Sequence, residues 1–191
     1  MDRDAGSSYI APFLPSPQEV IDRMLKMAEV NPKDLVYDLG SGDGRVAITA
    51  AGRYGAKAVG FEIDPPLVTH SRRKIRAAGL EDRVEIREQD IRSVDPSPAS
   101  VVTLYLCPEA NLALKAALMR QLKPGSRVVS HYFGMGDWKP RRVEPMTDSA
   151  AFLRSIYLWR MEDQRDGRVF CRRVNLPRSH RIVDLFILDH A

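Results

Sequence analysis

The sequence is short of most features that would narrow its chemistry at once. It holds two cysteines, Cys107 and Cys171, which form neither a metal-ligand pattern nor a disulfide framework. A disulfide-stapled scaffold is therefore excluded, and no metal is expected. No apolar run approaches the roughly 18 residues that argue for a membrane span. The N-terminal "MDRDAGSSYIAPFLPSP" lacks the apolar stretch of a secretory leader. A cytoplasmic, reduced protein with no membrane association is the expectation. Charge of one sign is scarce as well, because 29 basic residues face 25 acidic ones, for a net charge of +4. That balance is compatible with nucleic acid without pointing to it. The arginine clusters "SRRKIR" (Ser71 to Arg76), Arg141–Arg142 and Arg172–Arg173 read as solvated faces. Repeats and low-complexity tracts are absent.

What is present is a soluble-domain composition, 44% hydrophobic and 28% charged over 191 residues, enough for one α/β domain with a real core. Residues 1–15 read as a flexible arm that also serves as a lid, residues 16–161 as the domain proper, and residues 162–191 as an extension. Ser16, Pro17 and Glu19 form a helix start, with serine as N-cap and proline at the first helical position. That helix is expected to end at Asn31–Pro32. Strands are expected at Leu35–Leu39, Ala56–Ile63, within "DRVEIREQD", within "ASVVTLYLC" and within "SRVVSHYF". Helices alternate with them at Arg45–Tyr54, "PPLVTHSRRKIRAAG" and "EANLALKAALMRQL". Such alternation implies an α/β fold with a doubly wound, mostly parallel sheet, helices on both faces, and ligands at the strands' carboxyl ends. Leu153–Trp159 reads as one more strand. Arg168–Val174 and Ile182–Leu188 could pair as a hairpin.

"VYDLGSGDGR" packs Gly40, Gly42 and Gly44 directly behind the first strand. Missing side chains there let the backbone approach a ligand. The dinucleotide fingerprint G-x-G-x-x-G would need glycine at position 45, where Arg45 stands. Three acids sharpen the choice. Asp38 ends the first strand and can face a cationic amine, Glu62 ends the second and can accept a ribose's hydroxyls, and Asp90 follows the third, placed for an adenine amine. A carboxylate at Asp38 would repel a pyrophosphate but suits an amino-acid moiety. S-adenosylmethionine carries an amine, a sulfonium, a ribose and an adenine, and no phosphate, so it is the expected cofactor.

Beyond these residues, the chain resembles class I, seven-strand S-adenosylmethionine-dependent methyltransferases. More narrowly it resembles the archaeal and bacterial broad-specificity protein lysine methyltransferases, which are related to the ATP synthase c-subunit lysine methyltransferase and the non-SET histone lysine methyltransferases. The resemblance is carried by "PFLPSPQEVIDRML", "DLVYDLGSGDGR", "AVGFEIDP", "VVTLYL", "LKPGSRVVSH" and "MGDW". It implies that Phe13 to Ser16, with Pro15 between them, closes over the methionine end of the cofactor. It also implies that Thr103 to Leu106 borders the acceptor channel, with Tyr105 and Thr103 as the catalytic candidates. The expected cofactor site comprises Phe13, Pro15 and Ser16, then Asp38, Gly40, Ser41, Gly42 and Gly44, then Glu62, Asp90 and Ile91. Cys107 stands where many relatives have leucine, and residues 162–191 fall outside the family pattern.

A lysine acceptor must arrive neutral, although its reference pKa is near 10.4; an apolar channel lowers that value by desolvation. "VVTLYL" offers few charges and one aromatic hydroxyl, Tyr105. His131 reads as a core histidine or as an orienting group, and Trp138 as a loop anchor or an acceptor wall. Cys107–Pro108 reverses the Pro-Cys order of cytosine-5 chemistry, and the Asp/Asn-Pro-Pro-aromatic signature of amino-methylating nucleic-acid enzymes is absent. A protein presenting lysine is the expected partner. The alternatives are a small-molecule or RNA acceptor, with nucleic acid possible but not favoured, and a non-catalytic module that only binds the cofactor.

Overall fold

The computed structural model describes residues 14–161. Phe13, the expected hairpin and Cys171 lie outside the described residues. Helix α1 spans Gln18–Met27 and buries Val20, Ile21, Met24, Leu25 and Met27 on one face. Its N-cap is Pro17, not Ser16, and Pro17 makes no side-chain cap. The Pro17 carbonyl instead accepts from the amides of Val20 and Ile21 at 3.1 Å each. The helix ends before Asn31–Pro32. Glu29 takes φ +54°, while its amide donates to Lys26 and that of Val30 to Leu25, both at 3.0 Å. These bonds form a Schellman-type close with glutamate where glycine usually stands, so the sequence carries no stop signal there.

The alternation runs β1 Leu35–Leu39, α2 Arg45–Tyr54, β2 Lys57–Glu62, α3 Pro65–Ala77, β3 Val84–Glu88, β4 Val101–Leu104, α4 Pro108–Gln121 and β5 Arg127–His131. Two further strands follow, β6 Arg142–Thr147 and β7 Leu153–Arg160. The sheet order is β3-β2-β1-β4-β5-β7-β6. The first five strands are parallel, while β7 runs antiparallel to both β5 and β6. Strand β6 has no counterpart in the sequence reading. It is an edge strand with Pro145 in its middle and alternating exposure, a placement where a missing amide costs little.

The chain winds outward from β1 to β3 and then crosses back to β4, so β1 and β4 flank the switch point of the sheet. Each face of the sheet has its own core. One packs α1, α2 and α3 through Met24, Ala47 and Ile75, and the other packs α4 and Trp159 through Leu114 and Leu118. At the amino-terminal end of the strands, Arg127 pairs with buried Asp34. Among the described residues, no helix is long and apolar enough to cross a membrane.

Candidate functional site

A pocket opens at the carboxyl ends of β1, β2 and β4, where the topology predicts a ligand. The glycine loop forms its floor. Gly40 and Ser41 both donate backbone amides to the Phe61 carbonyl at 2.9 Å, which pins the loop to β2. Gly40 has φ +81°, and a Cβ there would lie 2.7 Å from a Leu106 methyl. Its bareness thus lets the loop meet the chain after β4. Gly44 differs from expectation, because it does not line the pocket. It sits at φ +77° where α2 begins, and a Cβ would come within 3.0 Å of Ser71 on α3. Its role is close packing of helix and loop.

Glu62 closes the loop from the other side. One carboxylate oxygen accepts from Gly42 N at 2.8 Å, and the other from Ile63 N at 2.8 Å and Asp64 N at 3.0 Å. The side chain therefore organises the pocket rim and lines it at the same time. Asp38 is buried beneath the loop. Burial, aided by the nearby Glu62 and Asp43 charges, pushes its carboxyl up to about 7, although a hydrogen bond from Thr103 acts against this. That bond, from Thr103 Oγ1 to Asp38 Oδ1, measures 2.7 Å. Thr103 is fully buried and does not line the pocket. The expectation that it borders the acceptor channel is therefore corrected: mid-strand, its side chain faces Asp38 on neighbouring β1.

Arg45, which spoils the dinucleotide fingerprint, has a clear task. It pairs with Asp43 at 2.8 Å, and Lys74 reaches the same carboxylate at 2.9 Å. Burial alone would raise Asp43, but hydrogen bonds and charge from Arg45 and Lys74 hold it down to about 2. A second Arg45 nitrogen donates to the Ser16 carbonyl at 3.0 Å. Leu14, Pro15 and Ser16 thereby lie along the pocket as a strap ahead of α1. Ser16 is tied a second time, its hydroxyl 2.9 Å from His131 Nδ1. Sequence reasoning missed Arg45, because it weighed that position only as an absent glycine.

Asp90 and Ile91 line the far wall. Asp90 is engaged with Arg92, whose side chain and amide hydrogen-bond its carboxylate and hold it below the usual range. Leu104, Tyr105 and Leu106 form the wall after β4. Tyr105 is half-buried and its ring lies 4.0 Å, centroid to centroid, from that of fully buried His131. Trp138 is buried away from the pocket, and its carbonyl accepts from Trp159 Nε1 at 2.8 Å, which makes it a loop anchor.

The lining tests whether a cationic nucleoside fits. Five carboxylates (Asp38, Asp43, Glu62, Asp64 and Asp90) line the pocket. Arg45 and Lys74 offset Asp43, and Arg92 offsets Asp90. Asp38, Glu62 and Asp64 have no cation paired with them among the described residues and favour a cationic ligand over a phosphate. Ser41 Oγ and Asp64 Oδ1 are buried in that lining with no hydrogen-bond partner among the described residues. Buried polar atoms normally have partners, so these two suit the hydroxyl and amine donors of a ligand. S-adenosylmethionine offers such donors.

Comparison with known proteins agrees. The family described as the ANTKMT methyltransferase domain matches residues 38–142. A protein-lysine N-methyltransferase of Saccharolobus islandicus is 42% identical over 155 residues, spanning 80% of this chain and 96% of the relative. The human ATP synthase c-subunit lysine N-methyltransferase is 35% identical over 132 residues, 69% of this chain, which spans only 56% of that relative. Among solved structures, an RNA methyltransferase from Salinibacter ruber in complex with S-adenosyl-L-homocysteine superposes with a TM-score of 0.74 at 45% identity, covering 82% of this chain and 99% of that one. The chain belongs to the ANTKMT methyltransferase family and is an S-adenosylmethionine-dependent methyltransferase of the class I fold.

Proposed function

We propose that the acceptor is the side-chain amine of a protein lysine, and that residues 16–161 form the methyltransferase domain of a cytoplasmic enzyme. The observation that carries this reading is the wall after β4, where Leu104, Tyr105 and Leu106 line the pocket without an ionised side chain among them. The bound donor supplies a methyl group on a sulfonium, and the amine's lone pair takes that carbon while the bonding pair returns to sulfur. The chain's own contribution is orientation and exclusion of water. The apolar wall disfavours the charged ammonium and so raises the fraction of neutral amine. Tyr105 presents the one hydroxyl at that wall and orients the amine. On the donor side, Asp38 takes the amine of the amino-acid moiety, Glu62 and Ser41 the ribose, and Asp90 with Ile91 the adenine. Leu14 to Ser16 cover the methionine end.

The lysine methyltransferases among the relatives support the acceptor class. RNA is the second reading, favoured by the name of the Salinibacter ruber protein. The acceptor wall weighs against it, because Leu104, Tyr105 and Leu106 offer no cation to hold a phosphodiester. Incubation of the protein with methyl-labelled donor and a cell lysate separates the two. Label recovered as methyl-lysine after protein hydrolysis supports the first reading, and label confined to RNA overturns it.

A further inference from the structure

We infer that His131 is a positioning residue that ties the strap over the donor pocket to the acceptor wall, holding Ser16 on one side and Tyr105 on the other. The inference rests on the proposed role of Tyr105. His131 ends β5 and is fully buried. Its Nδ1 lies 2.9 Å from Ser16 Oγ. Its ring underlies Tyr105 with centroids 4.0 Å apart and planes at 33°. Ser16 and Tyr105, far apart in the sequence, both line the pocket, and His131 joins them from behind.

Core packing alone does not account for this residue. Its Nε2 is buried with no hydrogen-bond partner among the described residues. An apolar ring would fill the same space without that cost. The backbone around it is also held under strain. Tyr132 takes φ +71°, in the left-handed region that a bulky side chain rarely adopts. The Phe133 amide donates back to the His131 carbonyl at 2.9 Å, closing a tight turn over Tyr132. Several bonds hold that turn. The Tyr132 amide donates to Ser155 at 2.6 Å, Ser130 Oγ to the Phe133 carbonyl at 2.7 Å, and Asn111 Nδ2 to the Gly134 carbonyl at 3.2 Å. Strain persists where its surroundings over-determine it, and such sites cluster around function.

Burial and the Arg154 charge, partly opposed by Asp148, keep the imidazole down to about 4. The ring is therefore neutral and adds no repulsion for an ammonium or a sulfonium. Its contribution is geometric: the strap that covers the donor and the wall that receives the acceptor share one rigid support. Through that one support the strap and Tyr105 keep a fixed spacing, so the cover of the donor pocket and the acceptor wall are positioned together.

The test uses Ser16→Ala, His131→Phe, the double variant and His131→Asn, with S-adenosyl-L-homocysteine affinity read by calorimetry and acceptor kinetics by methyl-lysine formation. Ser16→Ala and His131→Phe each break the link, and each is expected to weaken S-adenosyl-L-homocysteine binding about five- to tenfold. The double variant is expected to be no worse than the poorer single, because both remove one interaction. His131→Asn can keep the bond to Ser16 but loses the ring under Tyr105. It is expected to bind S-adenosyl-L-homocysteine within about threefold of wild type while kcat/KM for the acceptor falls about tenfold. Multiplied effects in the double variant, or an unchanged affinity in Ser16→Ala, would overturn the inference. So would an unchanged acceptor kcat/KM in His131→Asn. Should His131→Phe fail to fold, Ser16→Ala decides the binding arm alone, with its melting temperature as the control. A wild-type protein that methylates no lysine would sink the proposed acceptor and leave the binding cycle intact.

Discussion

Strand β1 begins and ends beside a buried carboxylate, and the two are treated in opposite ways. Ahead of its first residue, Asp34 pairs with Arg127 and accepts from Ser100 Oγ at 2.7 Å. Arg127 in turn donates to the Ala28 carbonyl at 3.1 Å, so the ion pair also fastens the loop after α1. At the other end, Asp38 has a neutral hydroxyl as its donor, two carboxylates nearby, and a pKa of about 7. One carboxylate is satisfied within the chain. The other accepts from a threonine hydroxyl and pairs with no cation among the described residues. Stability is built at the amino-terminal end of the strands and withheld at the carboxyl end, where on the proposed reading the donor would supply the missing partner.

The largest expected effect breaks the satisfied end. Arg127→Met leaves Asp34 buried without its cation, a change that typically costs about 3–5 kcal/mol. Urea denaturation should show that loss, while S-adenosylmethionine affinity of the folded fraction stays at the wild-type value. A fall in affinity without a fall in stability would mean that the two ends are not separate.

The matching change at the unsatisfied end should act with the opposite sign. Unfolded Asp38 ionises near 3.8, whereas in the fold it holds its proton up to about 7. Between those values the folded state carries a proton that the unfolded state has lost, so wild-type stability falls as pH rises through that window. Asp38→Asn does not titrate and still accepts from Thr103. It should therefore be more stable than wild type at pH 8, by on the order of 4 kcal/mol, with the gap closing towards pH 4. The same variant should lose donor binding, while wild-type affinity climbs as pH rises towards about 7 and the carboxylate becomes available. Melting curves and calorimetry at pH 5 and 8 measure both. Equal stability of the two proteins at pH 8 would remove the strain from Asp38.

How much of this was legible follows the same division. The strand–helix alternation of β1 to β5, the ligand edge and the lining acids Asp38, Glu62 and Asp90 stand in the sequence, because apolar runs and glycine turns are local signals. Strand β6 was not legible, since "RVEPMT" is polar, holds a proline and borrows its order from β7. Ser16 read as an N-cap because its spacing to Glu19 fits one. Both side chains look elsewhere in the fold: the Ser16 hydroxyl meets His131, and Glu19 accepts from the Ser149 amide at 2.7 Å. Thr103 read as channel wall with its motif neighbours Leu104 to Leu106, which do line the pocket. Which residue a strand side chain meets depends on the register with the partner strand, and Thr103 lies opposite Asp38 on β1. Arg45 joins the glycine loop to the strap across 29 positions, a contact no local pattern encodes.

Glu62 sharpens the comparison because it belongs to both sides, being satisfied by backbone amides and open to a ligand. Glu62→Ala removes the acceptor for Gly42, Ile63 and Asp64 amides and should weaken donor binding by about 1.5–3 kcal/mol, the range for bonds to a charged group. Some stability should be lost with it, unlike Asp38→Asn. Wild-type affinity in a folded variant would take Glu62 out of the donor site. At the acceptor wall, Tyr105→Glu would hold the lysine in its charged form and should slow transfer about tenfold, with donor affinity kept. Transfer at the wild-type rate would make Tyr105 ordinary packing.

The smallest effect is expected at Asp90, the remaining strand-end acid of the lining. Its carboxylate is already spent on the Arg92 side chain and amide, and it lies near the surface, where water screens what charge is left. An adenine amine would gain a bond there only by sharing the carboxylate with Arg92 or displacing it. Either exchange returns little net energy, because one hydrogen bond replaces another. Asp90→Ala should therefore change S-adenosylmethionine affinity less than about threefold, well below the effect at Glu62. Arg92→Ala provides the counter-test: with the guanidinium gone, the freed carboxylate should hold the amine better, and affinity should rise slightly. A loss above tenfold in Asp90→Ala would show that the ligand outcompetes Arg92, and that the far wall is left incomplete until the donor arrives.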